Sequence, residues 1–371
     1  MSQSRAVDET DPAPNGYRMP AEWEPHRATW LVWPESDDWP GKLSAVQWAY
    51  TEMIRKLSGV ERVSLIVAQT EREAAVRKTL ERAAVDMNNV EFFVAPTDRT
   101  WARDNLPLFV LREQPTLAPT LGAVKFRFNG WARYEDHKLD EAAGTAVAEH
   151  AASDVFFPMW RDEQGCAHRF VLEGGSVDVD GRGTLLTTRR CLMGAPFTRN
   201  PGITEGQIEA TLQRYLGVTK VIWLEDGIAG DDTSGHIDDF ARFVAPGRVV
   251  VSCERNKTDA NYAPLRSARE QLASAVDCAG ARLDVIELPM PAPLYFDGER
   301  LPASYANFYI ANATVLVPTF NDANDRLALG ILSEVFADRN VLGVHALDLV
   351  LGLGTLHCSS QQQPEIAPSC V

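Results

Sequence analysis

No apolar run in the sequence approaches the roughly 20 residues that span a bilayer, so no transmembrane helix is expected. A basic excess is also lacking: 36 Lys and Arg stand against 51 Asp and Glu, for a formal net charge of −15. A surface of that sign repels phosphate backbones, which excludes nucleic acid as a partner, and it tolerates a cationic ligand. Cysteine is sparse. The six present (Cys166, Cys191, Cys253, Cys278, Cys358 and Cys370) form no CxxC pair, which fits neither a disulfide framework nor a zinc site. Free thiols in a reducing compartment are expected, hence a cytoplasmic location. No HExxH segment occurs, and neither His345 nor His357 stands at metal-ligand spacing from His236. No Pro/Gly/Ser-rich linker interrupts the chain after Gly16. The opening MSQSRAVDETDPAPNG is polar and acidic without an apolar segment, so residues 1–16 are expected to be a flexible leader and residues 17–371 one domain.

What is present is ordinary globular material, 45% hydrophobic and 23% charged, enough for a sizeable core. Helical periodicity starts near Leu43, Glu71, Lys138, Thr204, Leu265 and Asp325, and the last five starts recur every 60 to 70 residues. Short β-rich runs lie between them, among them VSLIVA, VEFFVAP, AVKFRFNG, FVLEGG, TLLTT, KVIWLED, FVAPGRVVVS, LDVIELP, FYIANATVLVP and NVLGVHAL. A strand-helix-strand unit therefore recurs about five times. Such a unit cannot bury its own apolar face, so copies must pack on one another, and closure about an axis is the economical arrangement. A doubly wound open sheet is the competing architecture.

Four polar motifs interrupt this pattern: WARDN around Asp104, LEGGS around Glu173, GHIDD from His236 to Asp239, and GLGTLHC ending in Cys358. Asn307 in SYANFYIAN lies between the last two. The steps from Asp104 to Glu173, His236, Asn307 and Cys358 nearly match the helix period, so each repeat carries one polar residue at a similar phase. On a cyclic arrangement those positions converge.

Most single cysteines are inert and buried. Cys358, however, follows a glycine-rich segment and precedes the polar run SSQQQP, read as a loop, and a histidine flanked by acids stands elsewhere in the chain. A thiolate nucleophile needs such a neighbour to lower its pKa. His236 and Asp238, read as alternating on one face of a strand, also admit a metal-ligand role. By the same alternation His357 is expected to face away from Cys358 and pack. Asp104, Glu173 and Asp238 converging would repel one another unless a cation joined them. A guanidinium is a planar cation whose fork matches carboxylates, though salt bridges to Arg103 or Arg242 would serve the acids equally. Trp101 and Trp131 are expected either to stack on a ligand or to fill core, with core favoured for Trp131.

These motifs, with MPAEWEPH at residues 19–26, resemble those of the agmatine deiminase and bacterial-type peptidylarginine deiminase family, within the pentein superfamily of guanidine-modifying proteins. The resemblance runs from Met19 to Pro364. It implies a five-bladed α/β propeller of ββαβ-type repeats and a hydrolase that needs no metal or organic cofactor. It further implies Cys358 as nucleophile, His236 as general acid and base, and Asp104, Glu173 and Asp238 as guanidinium-binding carboxylates, with Asn307 near the site. The expected partner is a small cationic guanidine, agmatine first and peptidyl-arginine or another arginine derivative second. An amidinotransferase using the same thiol and a non-catalytic binding protein are the other classes; homo-oligomerisation is left open.

The chain departs from the family's usual motifs at three places. It has Asp104-Asn105-Leu106-Pro107 where DTGP is usual, Asp232-Thr233-Ser234-Gly235-His236 where GTDGH is usual, and Gly352-Leu353-Gly354-Thr355-Leu356-His357-Cys358 where GGGNIHC is usual. Every expected catalytic residue survives. The altered positions are expected to line the part of the site that grips the far end of the substrate.

Overall fold

Five sheets of three or four strands make up most of the chain in the computed structural model, which describes residues 11–114 and 118–366. Each sheet is built the same way. An antiparallel pair comes first, and a helix then leads to a strand parallel to the second member of the pair. Leu108–Arg112, Thr120–Val124 and Asp154–Phe156 form one such set around the helix Lys138–Ala151. Asp178–Val179, Thr184–Thr188 and Lys220–Leu224 form the next around Glu205–Leu216. Ala241–Ala245, Arg248–Cys253 and Asp284–Pro289 follow around Tyr262–Ser274. Tyr309–Ile310, Thr314–Thr319 and Asn340–His345 follow around Asp325–Val335. The fifth set joins the two ends of the chain: Ser360–Pro364 pairs antiparallel with His26–Val32, which runs parallel to Arg62–Val67 and through it to Val90–Val94. The architecture is mixed α/β.

Local sequence explains the elements. The run TLLTT has β-branched residues at both ends and forms Thr184–Thr188, buried throughout. Thr204 caps the helix Glu205–Leu216 by accepting from the Gln207 amide while the Gln207 side chain reaches back, and Gly217 ends it at φ +70°. That capping box and left-handed stop are the signals a sequence can carry. The helix Leu43–Leu57 buries Val46, Tyr50, Met53, Ile54 and Leu57 on the parallel strands beside it, at roughly 2 kcal/mol per fully buried large side chain.

Two expectations need correction. Residues 1–10 of the expected leader lie outside the described residues, but residues 11–16 are part of the fold: Asp11 is buried and ion-paired to Arg214 at 2.6 Å, ahead of the short 3-10 turn Ala13–Asn15. The polar run Ser360–Pro364 is a buried strand instead of a loop. Two of its glutamines find partners inside: Gln363 accepts from the Trp30 indole at 2.9 Å, and Gln362 from Arg103 at 2.7 Å. Hydrogen-bonded burial of this kind removes the penalty that makes a QQQ run look like surface.

Candidate active site

The recurring topology places the polar motifs alike. Asp104, Glu173, His236 with Asp238, Asn307 and Cys358 each stand within five residues upstream of the first strand of a sheet. Hydrogen bonds show that these five segments meet. Asp104 accepts from the Gly175 amide at 3.0 Å, and Asn307 donates to the Cys358 sulfur at 3.0 Å and to Asp239 at 3.1 Å. The Cys358 thiol faces Asp238 at 3.7 Å.

Cys358 sits on a tight helical turn in which the Ser359 amide donates to the Thr355 carbonyl. Because this segment is coiled and not extended, the alternation expected for His357 fails. His357 is buried beside the thiol, with Nδ1 2.6 Å from Asp238 and Nε2 2.7 Å from Glu22. Ile237–Asp239 is likewise a 3-10 turn and no strand. Asn307 ties the thiol turn down. Its carbonyl oxygen accepts from the Thr355 hydroxyl at 2.7 Å and from the amides of His357 and Cys358 at 3.1 and 3.3 Å.

His236 is fully enclosed, with both ring nitrogens surrounded by carboxylates at long range. Nδ1 is 3.7 Å from Asp104 and 4.0 Å from Asp238, and Nε2 is 3.5 Å from Glu173. Neither nitrogen makes a close hydrogen bond among the described residues, and one Asp238 oxygen is also without one. Gly175 explains how so many groups crowd together: a Cβ there would fall 2.5 Å from His236 Nδ1 and 2.9 Å from an Asp104 oxygen. Only glycine fits the LEGGS motif at that point.

The charges are mutually dependent. Burial opposes a charged His236, but Asp104 and its other neighbours overcome this and hold the imidazole well above its usual pKa. Burial, helped by Asp238 and Glu173 and opposed by His236, pushes Asp104 up to about 6. Burial and the carboxylates Asp238, Asp239 and Asp104 push the Cys358 thiol well up. Burial would raise Asp238 too, but the His357 contact holds it low. A buried thiol thus faces several carboxylates, and a cation placed among these acids would reverse the bias against its thiolate.

A cavity of about 210 Å³ opens onto the thiol. Its walls include Trp101, Trp131, Tyr134, Asp104, Asp38, Arg99, Asp232, Thr233 and the turn Leu351–Gly354. The glycines of that turn allow close stacking, since a Cβ on Gly354 would lie 2.7 Å from the Trp101 ring and 3.0 Å from Cys358 Cβ. Trp101 therefore lines the cavity over the thiol. Trp131, for which core was the favoured expectation, also lines it and donates from its indole to Asp104 at 2.9 Å.

Glu173 departs from expectation. It does not line this cavity and already carries a guanidinium, that of Arg199, whose Nε lies 3.0 and 3.2 Å from its two oxygens with both side chains fully buried. Despite burial, Arg199 and His236 hold the Glu173 carboxyl low. Its place is behind the imidazole. Arg103 and Arg242, the alternative partners for the acids, go instead to Glu22, at 3.2 and 3.0 Å, and Arg242 also pairs with Asp178. Sequence reasoning missed Glu22, Arg199 and Asp239. Glu22 lay within MPAEWEPH and Asp239 within GHIDD, whereas no motif marked Arg199.

Two groups of donors sit close enough to hold a metal: Glu173, Cys191 and His236, and Asp238, Asp239 and Cys358. In the first, Arg199 already occupies the Glu173 carboxylate.

A thiol and an imidazole set among buried carboxylates thus lie beneath an aromatic-walled cavity. The chain belongs to the Porphyromonas-type peptidyl-arginine deiminase family, whose model matches residues 18–364. It is 34% identical to an agmatine deiminase of Pseudomonas aeruginosa, covering 95% of this chain and 97% of that one. It is 35% identical to an agmatine deiminase of Pseudomonas fluorescens over the same shares. Among solved structures, the agmatine deiminase of Enterococcus faecalis superposes with a TM-score of 0.85 at 32% identity, over 98% of this chain and 100% of that one. A substrate-bound Campylobacter jejuni agmatine deiminase variant gives 0.80 at 29% identity, over 94% and 96%. Among the described residues no helix is long and apolar enough to cross a membrane.

Proposed function

We propose that this chain is an agmatine deiminase, hydrolysing the guanidinium of agmatine to N-carbamoylputrescine and ammonia through a covalent intermediate on Cys358. The observation that carries the reading is the thiol at the floor of a cavity whose fixed charges are acidic, beside an enclosed imidazole. The names of relatives matching nearly end to end support agmatine as substrate over peptidyl-arginine, as does the narrowness of the cavity. The five sheets of like topology support a closed five-bladed α/β propeller and one catalytic unit that begins no later than Asp11. The free thiols of the described residues suit a cytoplasmic setting.

In this reading the substrate guanidinium enters between Trp101 and Trp131 and is held by Asp104 and Asp238. Its positive charge offsets the acids around Cys358, so the thiol gives up its proton to solvent as the substrate binds and regains one when the sulfur is released. The thiolate attacks the guanidinium carbon and a C–S bond forms. One C–N bond then breaks as the His236 imidazolium protonates the leaving nitrogen, and ammonia departs. The neutral imidazole next takes a proton from a water that attacks the thiouronium carbon, the C–S bond breaks, and the ureido product leaves. Glu173 acts through His236, as a counter-ion that keeps it charged for the first half-reaction, and does not grip the substrate. Asn307 holds the sulfur in line.

The test is a colorimetric ureido assay with ammonia detection on agmatine, arginine, a blocked arginine peptide and methylated arginines. Agmatine is expected to give ureido product and ammonia in equal amounts. Strong turnover of another guanidine with none of agmatine would reassign the substrate, and amidine transfer without ammonia would reassign the reaction.

A further inference from the structure

Beside His236 stands a second buried thiol that the chemistry above leaves unused. Cys191 is fully buried, and its sulfur, a His236 ring nitrogen and a Glu173 carboxylate oxygen lie within 4.8 Å of one another. Neither Cys191 nor Glu173 lines the cavity. The placement is built in by Thr188, the last residue of the strand Thr184–Thr188. Its hydroxyl donates to the Gly235 carbonyl at 2.6 Å and accepts from the Cys191 amide at 3.2 Å. One side chain thereby joins the helical turn Arg189–Met193, which carries Cys191, to the residue directly before His236. Further along the same connection Arg199 holds Glu173 and donates to the Thr233 carbonyl at 2.5 Å. The segment from Thr188 to Arg199 thus braces the His236 loop at Gly235, at the ring itself and at Thr233.

The ring needs such a brace. His236 is 1% exposed, yet neither of its nitrogens makes a close hydrogen bond among the described residues. Its charged neighbours stand off: Asp104 and Asp238 at 3.7 and 4.0 Å from Nδ1, and Glu173 at 3.5 Å from Nε2. Asp231 accepts from its backbone amide at 3.2 Å, and Asp232 and Asp239 act on it through space. Acids at that range favour a charged ring but do not fix which nitrogen faces the substrate. In the reading above Asp104 and Asp238 hold the guanidinium, so Nδ1 has to meet the leaving nitrogen while Nε2 keeps its proton turned toward Glu173.

We infer that Cys191 is a positioning residue for His236, its sulfur joining the Glu173 carboxylate to keep Nε2 turned inward and Nδ1 toward the C–N bond that breaks. The inference rests on the deiminase reading and adds a residue that does not touch the substrate. Sulfur suits the place because it is a weak acceptor that behaves otherwise as a small hydrophobe, so it can face an N–H at long range without the penalty of an unmet polar group. Against the cost of burial, Asp104, Cys191 and Glu173 together hold the imidazole well above its usual pKa. Removing the sulfur should therefore lower the pH at which His236 loses its proton.

The experiment follows kcat and KM for agmatine across pH in wild type, Cys191→Ala and Cys191→Ser. Cys191→Ala should lower kcat about tenfold with KM within about twofold. It should also move the alkaline limb of kcat about half a pH unit toward acid, because the imidazolium protonates the leaving nitrogen. Cys191→Ser leaves a similar small gap but returns an acceptor, so it should recover most of the loss and of the shift. Should Cys191→Ala fail to fold, Cys191→Val, which fills the space without an acceptor, takes its place. An unchanged kcat, an alkaline limb that stays in place, a serine variant no better than the apolar one, or a loss confined to KM would overturn the positioning role and leave the deiminase reading intact. Wild-type enzyme that forms no ureido product from agmatine would overturn both.

Discussion

The floor of the cavity and its mouth are made in opposite ways. At the floor, Cys358, His236, Asp238 and Asn307 are buried, come from segments just ahead of sheet-starting strands, and are held by a network running from Asp238 through His357 and Glu22 to Arg103 and Arg242. At the mouth, Asp38, Arg99, Tyr134, Asp232 and Leu353 come from connecting segments and are only partly buried. Buried charges must each be satisfied, so a change at the floor spreads through the network. Groups at the mouth keep solvent as an alternative partner and can change with less consequence for the fold. Substitutions at the floor are therefore expected to cost more than substitutions at the mouth.

That contrast ranks the expected effects. The largest is Cys358→Ser, which should lower kcat by about a thousandfold or more, since a hydroxyl at this position is far less acidic than a thiol. Circular dichroism and the melting temperature should be close to wild type, and retention of more than about one part in fifty of activity would remove Cys358 from the chemistry. Next is Gly175→Ala. The added methyl has to displace His236 Nδ1 or Asp104, so a loss of about a hundredfold in kcat is expected with destabilisation of about 1–3 kcal/mol. Denaturant unfolding and kinetics report the two separately; unimpaired turnover would show that the imidazole need not sit among the acids.

Asp104→Asn should separate activity from stability. Asp104 titrates near 6 when folded and near 3.8 in the unfolded chain, so the folded state binds its proton more tightly. Its contribution to stability is present below about pH 4 and lost as pH rises through 6. The asparagine variant escapes that loss, so at pH 7 to 8 it should melt a few degrees above wild type, the advantage vanishing toward pH 4, while guanidine turnover collapses. For the same reason wild-type kcat/KM should fall on the acid side with a limb near pH 6, because a protonated Asp104 cannot balance a guanidinium. A variant that melts lower at all pH values would contradict the charge balance drawn for the floor. Smallest is Leu353→Gly at the mouth, where φ is +69°. Relief of that left-handed backbone and the added freedom of the unfolded chain oppose each other, so denaturant unfolding should report a change of less than about 1 kcal/mol.

The same contrast accounts for what could be read from the sequence. Helix starts at Leu43, Lys138, Thr204 and Asp325 fall at or next to the observed ends, because periodicity and caps act locally. The phase of the polar motifs matches their common place just ahead of a sheet-starting strand, because the topology repeats. What failed was whatever depended on partners distant in sequence. Ser360–Pro364 read as a loop because its glutamines find Trp30 and Arg103 only after folding. Glu173 read as a substrate ligand because nothing near LEGGS announces Arg199. His357 and the His236–Asp238 pair were placed by a strand alternation that their coiled turns do not follow. The mouth was visible only as departures from the family's motifs, expected on that ground to line the grip on the far end of the substrate.

The central claim, that the Cys358 sulfur bonds to the guanidinium carbon, is tested most directly by rapid acid quench of enzyme mixed with agmatine, followed by intact-mass and peptide mass spectrometry. The predicted result is a transient adduct equal to agmatine less ammonia, confined to the peptide carrying Cys358 and lost in Cys358→Ser. Steady formation of ureido product with no adduct at any time point, or an adduct on another residue, would contradict it.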